Sequence, residues 1–215
     1  MIKNNKWKLI ISSLIILLPI VFGLVMWNQL PERIATHWGP DGTPDGWSNR
    51  AFAVFALPLF IFVIHWLCVL VTSKDPKNKD KNQKAQGLVL FICPMISLLG
   101  NGLVYTTALG MSLRVEMIMP VFFGLLFIVL GNYLPKCRQN YTIGIKISWT
   151  LNSEENWNAT HRFAGKLWMI GGALIMLCAF LPTTYIFIAF FAITMIMVII
   201  PVIYSYRFYK KETKE

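Results

Sequence analysis

No charged residue interrupts LIISSLIILLPIVFGLVMW, which spans residues 9–27. A helix needs roughly 20 apolar residues to cross the hydrocarbon core of a bilayer, so this run is long enough to span a membrane. Lysines precede the run, as in a secretory signal. However, it is long for the apolar part of a signal, and no cleavage site of small residues follows it. We therefore expect it to remain as a membrane anchor.

The rest of the chain repeats this apolar pattern. Of its 215 residues, 56% are hydrophobic and 14% are charged, an apolar excess that excludes an ordinary water-soluble enzyme. We predict an all-α integral membrane protein with six transmembrane helices. The six apolar runs cover about residues 9–27, 51–72, 88–109, 117–134, 167–181 and 185–206. Since the fifth run is short, its helix is expected to begin outside the lipid with polar first turns.

The basic residues indicate how these helices are oriented. With a cytoplasmic N-terminus, 17 of the 20 Lys and Arg residues lie on the cytoplasmic side, and only Arg33, Arg50 and Arg114 lie outside. Because cytoplasmic loops are enriched in Lys and Arg, this bias predicts that both termini are cytoplasmic. Topology thus accounts for the formal net charge of +10, and no motif indicates direct binding of nucleic acid. The basic run at residues 74–84 is interpreted as a solvated cytoplasmic linker that also touches anionic lipid headgroups.

The outer loop between the first two runs is PERIATHWGPDGTPDGWSNR, residues 31–50. Its Pro-Asp-Gly triplets at 40–42 and 44–46 each suit a tight turn, so the loop should be compact, with its tryptophans at the lipid headgroups. It is interpreted either as a structural cap at the membrane interface or as a surface that recognises an extracellular ligand. Its candidate ligand-binding residues are His37, Trp38, Asp41, Asp45 and Trp47.

A metal site in this loop is disfavoured. Asp41, Asp45 and Gly46 match positions 1, 5 and 6 of a helix-loop-helix calcium motif, but position 12 is Phe52, where a bidentate acid is needed. One histidine with two aspartates is also an incomplete ligand set for zinc. We therefore expect neither a metal nor another cofactor.

The cytoplasmic loop between the fourth and fifth runs is GNYLPKCRQNYTIGIKISWTLNSEENWNATHRFAGK, residues 131–166. Residues 141–149 mix β-branched and aromatic side chains and are expected to lie extended along the membrane surface. Asn152 followed by Glu155 resembles a capping box, which predicts that a helix begins near Ser153.

One face of that helix carries the loop's candidate chemistry. Glu154 and His161 share it by the spacing of helical turns, together with Asn158, Gly165 and Trp168. A Glu and a His could meet there and move protons, but no nucleophile accompanies them. Three interpretations stay open for this face, namely structural hydrogen bonding, docking of a cytoplasmic partner, and catalysis.

The same loop resembles the signature of the SdpI family of bacterial membrane immunity proteins. The outer loop, through LPERI at 30–34, His37, Gly42 and DGW at 45–47, resembles the small uncharacterised domain that often precedes that signature. This resemblance implies an N-terminal two-helix unit at 1–86 and an SdpI-like four-helix unit at 87–215. The signature residues are Asn132, Pro135, Asn140, GIKISWTL at 144–151, Glu154, Glu155, Trp157, Thr160, His161, Gly165 and Lys166.

Membership implies a protein of the bacterial cell membrane that protects the cell from a secreted toxic peptide. In some members it also implies signalling, by holding a cytoplasmic transcriptional repressor at the membrane. One departure is Lys146 followed by Ile147 and Ser148, where relatives more often have Arg, Thr and Pro; Lys would weaken a bidentate contact. The partner-binding or structural candidates are Asn140, Tyr141, Gly144, Lys146, Trp149, Thr150, Glu154, Glu155, Trp157, Thr160 and His161.

Two polar residues lie inside the predicted spans, His65 in the second and Asn101 in the third. A polar group in the membrane is costly, so each is a functional candidate. The alternative function that they indicate is a small transporter for a small molecule or peptide, although no acidic residue lies mid-span to bind a coupling ion. A membrane enzyme built on Glu154, Glu155 and His161 is the third hypothesis.

Overall fold

The structure is a computed structural model that describes residues 5–78 and 83–213; residues 79–82 of the predicted basic linker lie outside this description. Most of the described chain is helical. The helices and strands are α1 Lys6–Val25, β1 Arg33–Trp38, β2 Pro44–Asn49, a π-helix Phe52–Ala56, α2 Leu57–Lys74, a 3₁₀ turn Pro76–Asn78, α3 Gln83–Ala108, α4 Val115–Tyr133, a 3₁₀ turn Leu134–Lys136, α5 Ser148–Asn152, α6 Glu154–Cys178 and α7 Thr183–Glu212.

Five helical segments in the described part of the chain are long and apolar enough to cross a membrane. The predicted fifth span falls in α6, and this helix is not among them because polar residues occupy its first half. The five are Lys6–Val25, Phe52–Lys74, Leu90–Ala108, Val115–Lys136 and Thr183–Glu212.

The chain forms two compact units. One comprises residues 1–73 and 86–115, and the other comprises residues 74–85 and 116–215. Each therefore contains segments that are distant in sequence. The division predicted at residue 86 stays a prediction.

In the first unit, the outer loop is a β-hairpin that packs on the ends of helices. Ile34 of β1 is 1% exposed and shares a core with Leu30, Val54, Val104 and Tyr105. The apolar side chains of the hairpin thus attach it firmly to the helices, as expected when about 25 cal/mol is gained for each Å² of apolar surface buried.

The hairpin corrects two predictions. The fold is mostly helical but not all-α, because β1 and β2 pair as an antiparallel two-stranded sheet. The first Pro-Asp-Gly triplet does form a turn, with Gly42 at φ +79° and its N–H donating to Gly39 O at 3.0 Å. The second triplet lies in β2 instead, where Gly46 pairs with His37. Pairing with β1 gives the backbone N–H and C=O groups of this segment hydrogen-bond partners that a second turn would not supply.

In the second unit, glycines allow α4 and α6 to approach closely. A Cβ on Gly165 would lie 2.7 Å from Gly131 O, and a Cβ on Gly172 would lie 2.5 Å from Gly124 O. Each helix thus carries two glycines seven residues apart, facing those of the other. Any side chain at these four positions would force the helix backbones apart.

Candidate functional site

The outer hairpin presents an exposed polar pair beside an exposed aromatic ring. His37 Nδ1 lies 2.5 Å from Asp45 Oδ1, and Trp47 is 52% exposed. Trp38 instead packs partly buried against the core of the first unit. The structure therefore divides the predicted ligand-binding residues into an accessible set and one aromatic anchor.

Asp41 has a local role in the turn of the hairpin. Its Oδ1 accepts hydrogen bonds from Thr43 N at 3.0 Å and from Thr43 Oγ1 at 2.7 Å. These hydrogen bonds stabilise the carboxylate and lower the pKa of Asp41 below its usual value. Across residues 5–78 and 83–213, no three His, Cys, Asp or Glu side chains come together as a metal site would require.

The signature loop is organised around the buried side chain of Asn140. Its Nδ2 donates to Arg138 O and Ile143 O, at 2.8 and 2.9 Å. Its Oδ1 accepts the N–H groups of Thr142 and Ile143, at 2.8 and 2.6 Å. One fully buried amide thus holds the backbone of this turn, and its loss would leave several buried polar groups without partners.

Trp157 and His161 form the buried support of the loop. Their rings stack with centroids 4.0 Å apart, and Trp157 Nε1 donates to Cys137 O at 2.8 Å. Gly144 crosses over this pair with φ +120°, and a Cβ there would lie 2.5 Å from His161 Nε2. Glycine is therefore required at 144 both for its backbone conformation and for lack of space.

Both ring nitrogens of His161 are engaged by the backbone. Ile145 N–H donates to Nε2 at 3.0 Å, so the ring proton is on Nδ1 and is donated to Trp157 O at 2.8 Å. Burial lowers the pKa of His161 to about 4, although the hydrogen bond to Trp157 opposes this shift. The imidazole is therefore neutral near pH 7 and serves as a hydrogen-bonding link between loop and helix.

The helix face predicted around Glu154 and His161 does not form as a site. Glu154 and Asn158 are exposed, whereas His161 is 1% exposed and faces Gly144. Glu155 is also exposed. Because the loop covers the histidine and backbone groups engage both of its ring nitrogens, the structure does not bring a Glu and His161 together as an acid-base pair.

The start of α6 agrees with the sequence, but its cap does not. The helix begins at Glu154, and the Ser153 hydroxyl accepts the N–H of Asn156 at 3.0 Å. Asn152 instead ends α5, a short helix that overlaps the last two residues of the stretch predicted to be extended. Thr150 in α5 explains this difference, because its Oγ1 donates to Ile145 O at 2.7 Å and folds the chain back.

Asp75 is a buried acidic residue that the sequence analysis missed. It lies in the segment interpreted as a solvated linker, yet it is 4% exposed. Its carboxylate accepts Tyr141 N–H at 2.8 Å and Thr142 Oγ1–H at 3.0 Å. The only local signal was the Asp75-Pro76 dipeptide, which is typical of a turn.

A second buried network of hydrogen bonds joins α6 to α7. It involves Ser205, a residue that no sequence pattern had indicated as important. The side chain of Asn156 donates to Ser205 O at 3.0 Å and accepts from Ser205 Oγ at 2.7 Å. Thr160 Oγ1 donates to the same Asn156 oxygen at 2.9 Å. These hydrogen bonds make Thr160 part of the structural interior.

The remaining signature residues face outward. Tyr141 is 50% exposed, and Lys146 is exposed with its Nζ donating to Thr142 O at 3.0 Å. Trp149 is half-buried beside Tyr206, with ring centroids 5.0 Å apart. The signature loop thus has a buried half that stabilises it and a solvent-exposed half that can contact a partner.

The two intramembrane polar residues are both buried in the first unit. Ser12 Oγ lies within hydrogen-bond distance of both Leu9 O and His65 Nε2, 3.0 Å from each. His65 Nδ1 then has no partner among the described residues, and the same holds for Asn101 Oδ1. Asn101 Nδ2 donates to Ser97 O at 2.8 Å.

Known families match both ends of the chain. Residues 14–62 match a domain of unknown function, DUF1648, and residues 136–205 match the SdpI/YfhL protein family. The chain is also similar to the immunity protein SdpI of Bacillus subtilis (strain 168), with 26% identity over 208 residues that cover 95% of this chain and 97% of the relative. No solved structure matches the chain.

These matches confirm the resemblance predicted from the signature and outer-loop residues. With the five apolar helices, they also confirm a multi-pass protein of the bacterial membrane. Residues 136–205 are thus similar to the SdpI/YfhL protein family, and residues 14–62 before them are similar to the DUF1648 domain.

Proposed function

We propose that this chain is a membrane immunity protein that protects the cell from a secreted antimicrobial peptide by binding it. The observation that carries this proposal is the similarity, over 95% of the chain, to a relative named for immunity. Five apolar helices and a compact exposed hairpin suit a protein that meets such a peptide at the outer surface of the membrane.

The proposal includes a sixth crossing by α6 and cytoplasmic termini. The 25 residues of α6 reach about 38 Å at 1.5 Å per residue, but the part from Leu167 to Cys178 reaches only about 18 Å, so a crossing of the roughly 30 Å hydrocarbon core requires local thinning of the bilayer. The signature loop covers the Trp157 and His161 side of the polar first half, whereas Glu154, Glu155 and Asn158 stay exposed, so only the run from Leu167 onward is proposed to enter the lipid. An even number of crossings also keeps the basic C-terminal tail on the side that the positive-inside rule favours.

The outer hairpin is the proposed toxin-binding surface. Trp47 is exposed and the His37–Asp45 pair lies on the same two strands, while Ile34 anchors the hairpin beneath them. An exposed tryptophan on a rigid support is the kind of residue that dominates binding energy when a partner covers it. An apolar peptide side chain would pack on this ring.

The test is protection of bacterial cells that a panel of purified peptide toxins kills. The intact chain should raise the killing concentration of at least one peptide, and Trp47→Ala should reverse this by about tenfold or more. Trp7→Ala is the matched control, because Trp7 is 75% exposed on α1 and lies outside the hairpin. Asp45→Asn should also weaken protection, whereas Trp38→Ala should lower protein stability as well.

Protein levels in the membrane must be equal for this comparison. Full protection by the hairpin variants would remove the outer loop from the mechanism. Absence of protection by the intact chain against every peptide would refute the immunity function itself.

We further propose that the solvent-exposed half of the signature loop recruits a cytoplasmic transcriptional repressor. Support comes from the separation of roles, since Asn140 and His161 are buried while Lys146, Glu154 and Glu155 are exposed on the same segment. Lys146→Glu should abolish membrane recruitment of a fluorescent repressor encoded beside the gene, without loss of stability. Lys211→Glu on α7 is the matched control, and unchanged recruitment by Lys146→Glu would refute this proposal.

A transporter is the alternative that one observation favours. His65 Nδ1 and Asn101 Oδ1 are buried polar atoms without partners in the described chain, and a passing substrate or water could satisfy them. Transport would collapse on His65→Leu or Asn101→Leu, whereas peptide immunity should survive each change if the protein folds. Loss of protection in both variants, with normal membrane levels and melting temperature, would favour the transporter.

A further inference from the structure

A groove opens in the second unit where α4 ends and α6 passes from polar to apolar sequence. Its volume is about 540 Å³. The candidate span containing α4 ends at Lys136, and the apolar run of α6 begins just after Lys166, so the groove lies at the polar-apolar boundary of both helices. The lining residues that matter here are Lys136, Phe163, Arg162, Lys166, Met169 and Tyr204.

The rim of the groove carries three cations and no acidic residue. Lys136 donates to Asn132 Oδ1 at 3.1 Å. Arg162 and Lys166 are exposed one helical turn apart, and within residues 5–78 and 83–213 neither side chain has a hydrogen bond or ion pair. Like charges four residues apart on a helix repel each other, so an anion between them would stabilise this arrangement. The next acidic residue along this face of α6 is Glu155, about two turns before Arg162.

The wall of the groove is apolar. The rings of Phe163 and Tyr204 stack nearly parallel, with centroids 4.5 Å apart, and Met169 continues this surface toward the lipid. Gly131 and Gly165 also line the groove, at the place where the backbones of α4 and α6 come into close contact. A ligand that fits must therefore combine an anionic head with an apolar body.

We propose that this groove binds an anionic phospholipid of the surrounding bilayer. The lipid phosphate lies among Lys136, Arg162 and Lys166, and the first carbons of the acyl chains run along Phe163 and Met169. Basic pockets between transmembrane helices bind lipid headgroups of this class. A free phosphate ion would satisfy the cations but would leave the apolar wall uncovered.

The experiment uses the full chain in neutral detergent with three probes, namely phosphatidylglycerol, phosphatidylcholine and inorganic phosphate. Native mass spectrometry counts the retained lipids, and a thermal melt reports stabilisation. Phosphatidylglycerol should be retained and should raise the melting temperature, whereas the other probes should not. The double variant Arg162→Gln/Lys166→Gln should bind phosphatidylglycerol about 30-fold more weakly, which corresponds to about 1 kcal/mol for each basic residue.

The matched control is Arg207→Gln/Lys211→Gln, an exposed pair on α7 with the same residue types and spacing but outside the groove. Equal losses in both double variants would show diffuse surface charge and overturn the proposal. An equal rise in melting temperature with phosphatidylcholine would also overturn the proposal. A rise with inorganic phosphate but not with phosphatidylglycerol would overturn it as well and would identify a site for a free anion. If the double variant does not fold, Arg162→Gln is compared with Arg207→Gln, and equal affinities overturn the proposal.

Discussion

Replacing Gly144 with alanine places a methyl group against the buried pair that supports the signature loop. The new Cβ would lie 2.5 Å from His161 Nε2 and 3.0 Å from the Trp157 ring. Left-handed backbone costs about 1–2 kcal/mol for a residue with a side chain. Displacing the loop also breaks the Ile145 hydrogen bond to His161, and a buried donor without a partner costs about 1–3 kcal/mol. The free energy of unfolding should therefore fall by about 2–5 kcal/mol.

Thermal unfolding in detergent measures this loss. For a chain of this size, 1 kcal/mol shifts the melting temperature by about 2–4 °C, so we expect a decrease of roughly 5–15 °C. Hydrogen exchange at the Ile145 amide should become faster. The control is Gly110→Ala, because Gly110 also has positive φ, +84°, but has nothing within 4 Å of its Cβ position. Equal decreases in the two variants, or unchanged exchange at Ile145, would refute the steric argument.

Three further predictions test other parts of the second unit. Gly165→Ala should lower the free energy of unfolding by about 1–3 kcal/mol by overpacking, whereas Gly102→Ala, with open space around its Cβ position, should be neutral or stabilising in the same melt. Because the pKa of His161 falls from 6.5 to about 4 on folding, stability present above pH 6.5 should decrease as the pH falls toward 4, by on the order of 3 kcal/mol. His161→Gln should flatten that part of the pH profile, and an equal slope in both proteins would contradict the assignment. Asp75→Ala should lower the melting temperature more than Asp41→Ala in the exposed turn, since it removes the buried carboxylate that accepts the Tyr141 N–H; equal effects would show that Asp75 does not hold the loop.

The membrane character of the chain could be predicted because long apolar runs are a local property. The five candidate spans overlap five of the six predicted runs. The fifth predicted run, which begins at Leu167, lies in α6 and is not a candidate span. The first half of α6 is polar, so the mean hydropathy over a membrane-length window of this helix is too low. Whether such a helix crosses the lipid depends on what covers its polar side chains, which is a matter of packing.

The outer loop shows where turn chemistry is insufficient. The two Pro-Asp-Gly triplets are equivalent by local propensity, yet one forms the turn and the other lies in β2. Antiparallel pairing with β1 decided between them. Burial of Ile34 beneath the strands then made the hairpin part of the core, which no count of turn residues could indicate.

The signature loop shows the same limit at the candidate site. Helical spacing places Glu154 and His161 two turns apart on α6, and the capping pattern correctly predicts that this helix begins near Ser153. It cannot reveal that Gly144 covers the histidine and excludes the carboxylates, because that contact joins residues 17 positions apart in sequence. A face drawn from one helix says nothing about the segment that packs on it.

Apolar content, the distribution of Lys and Arg and the family signature could all be read along the chain, because partition between water and lipid depends on each side chain separately. The roles of Asp75, Ser205 and the glycines of α4 and α6 depended on packing. Asp75 contacts Tyr141 across 66 positions, and Gly131 meets Gly165 only because two helices lie side by side. Such contacts follow from how whole elements fill space together, and this is not encoded in any short stretch of residues.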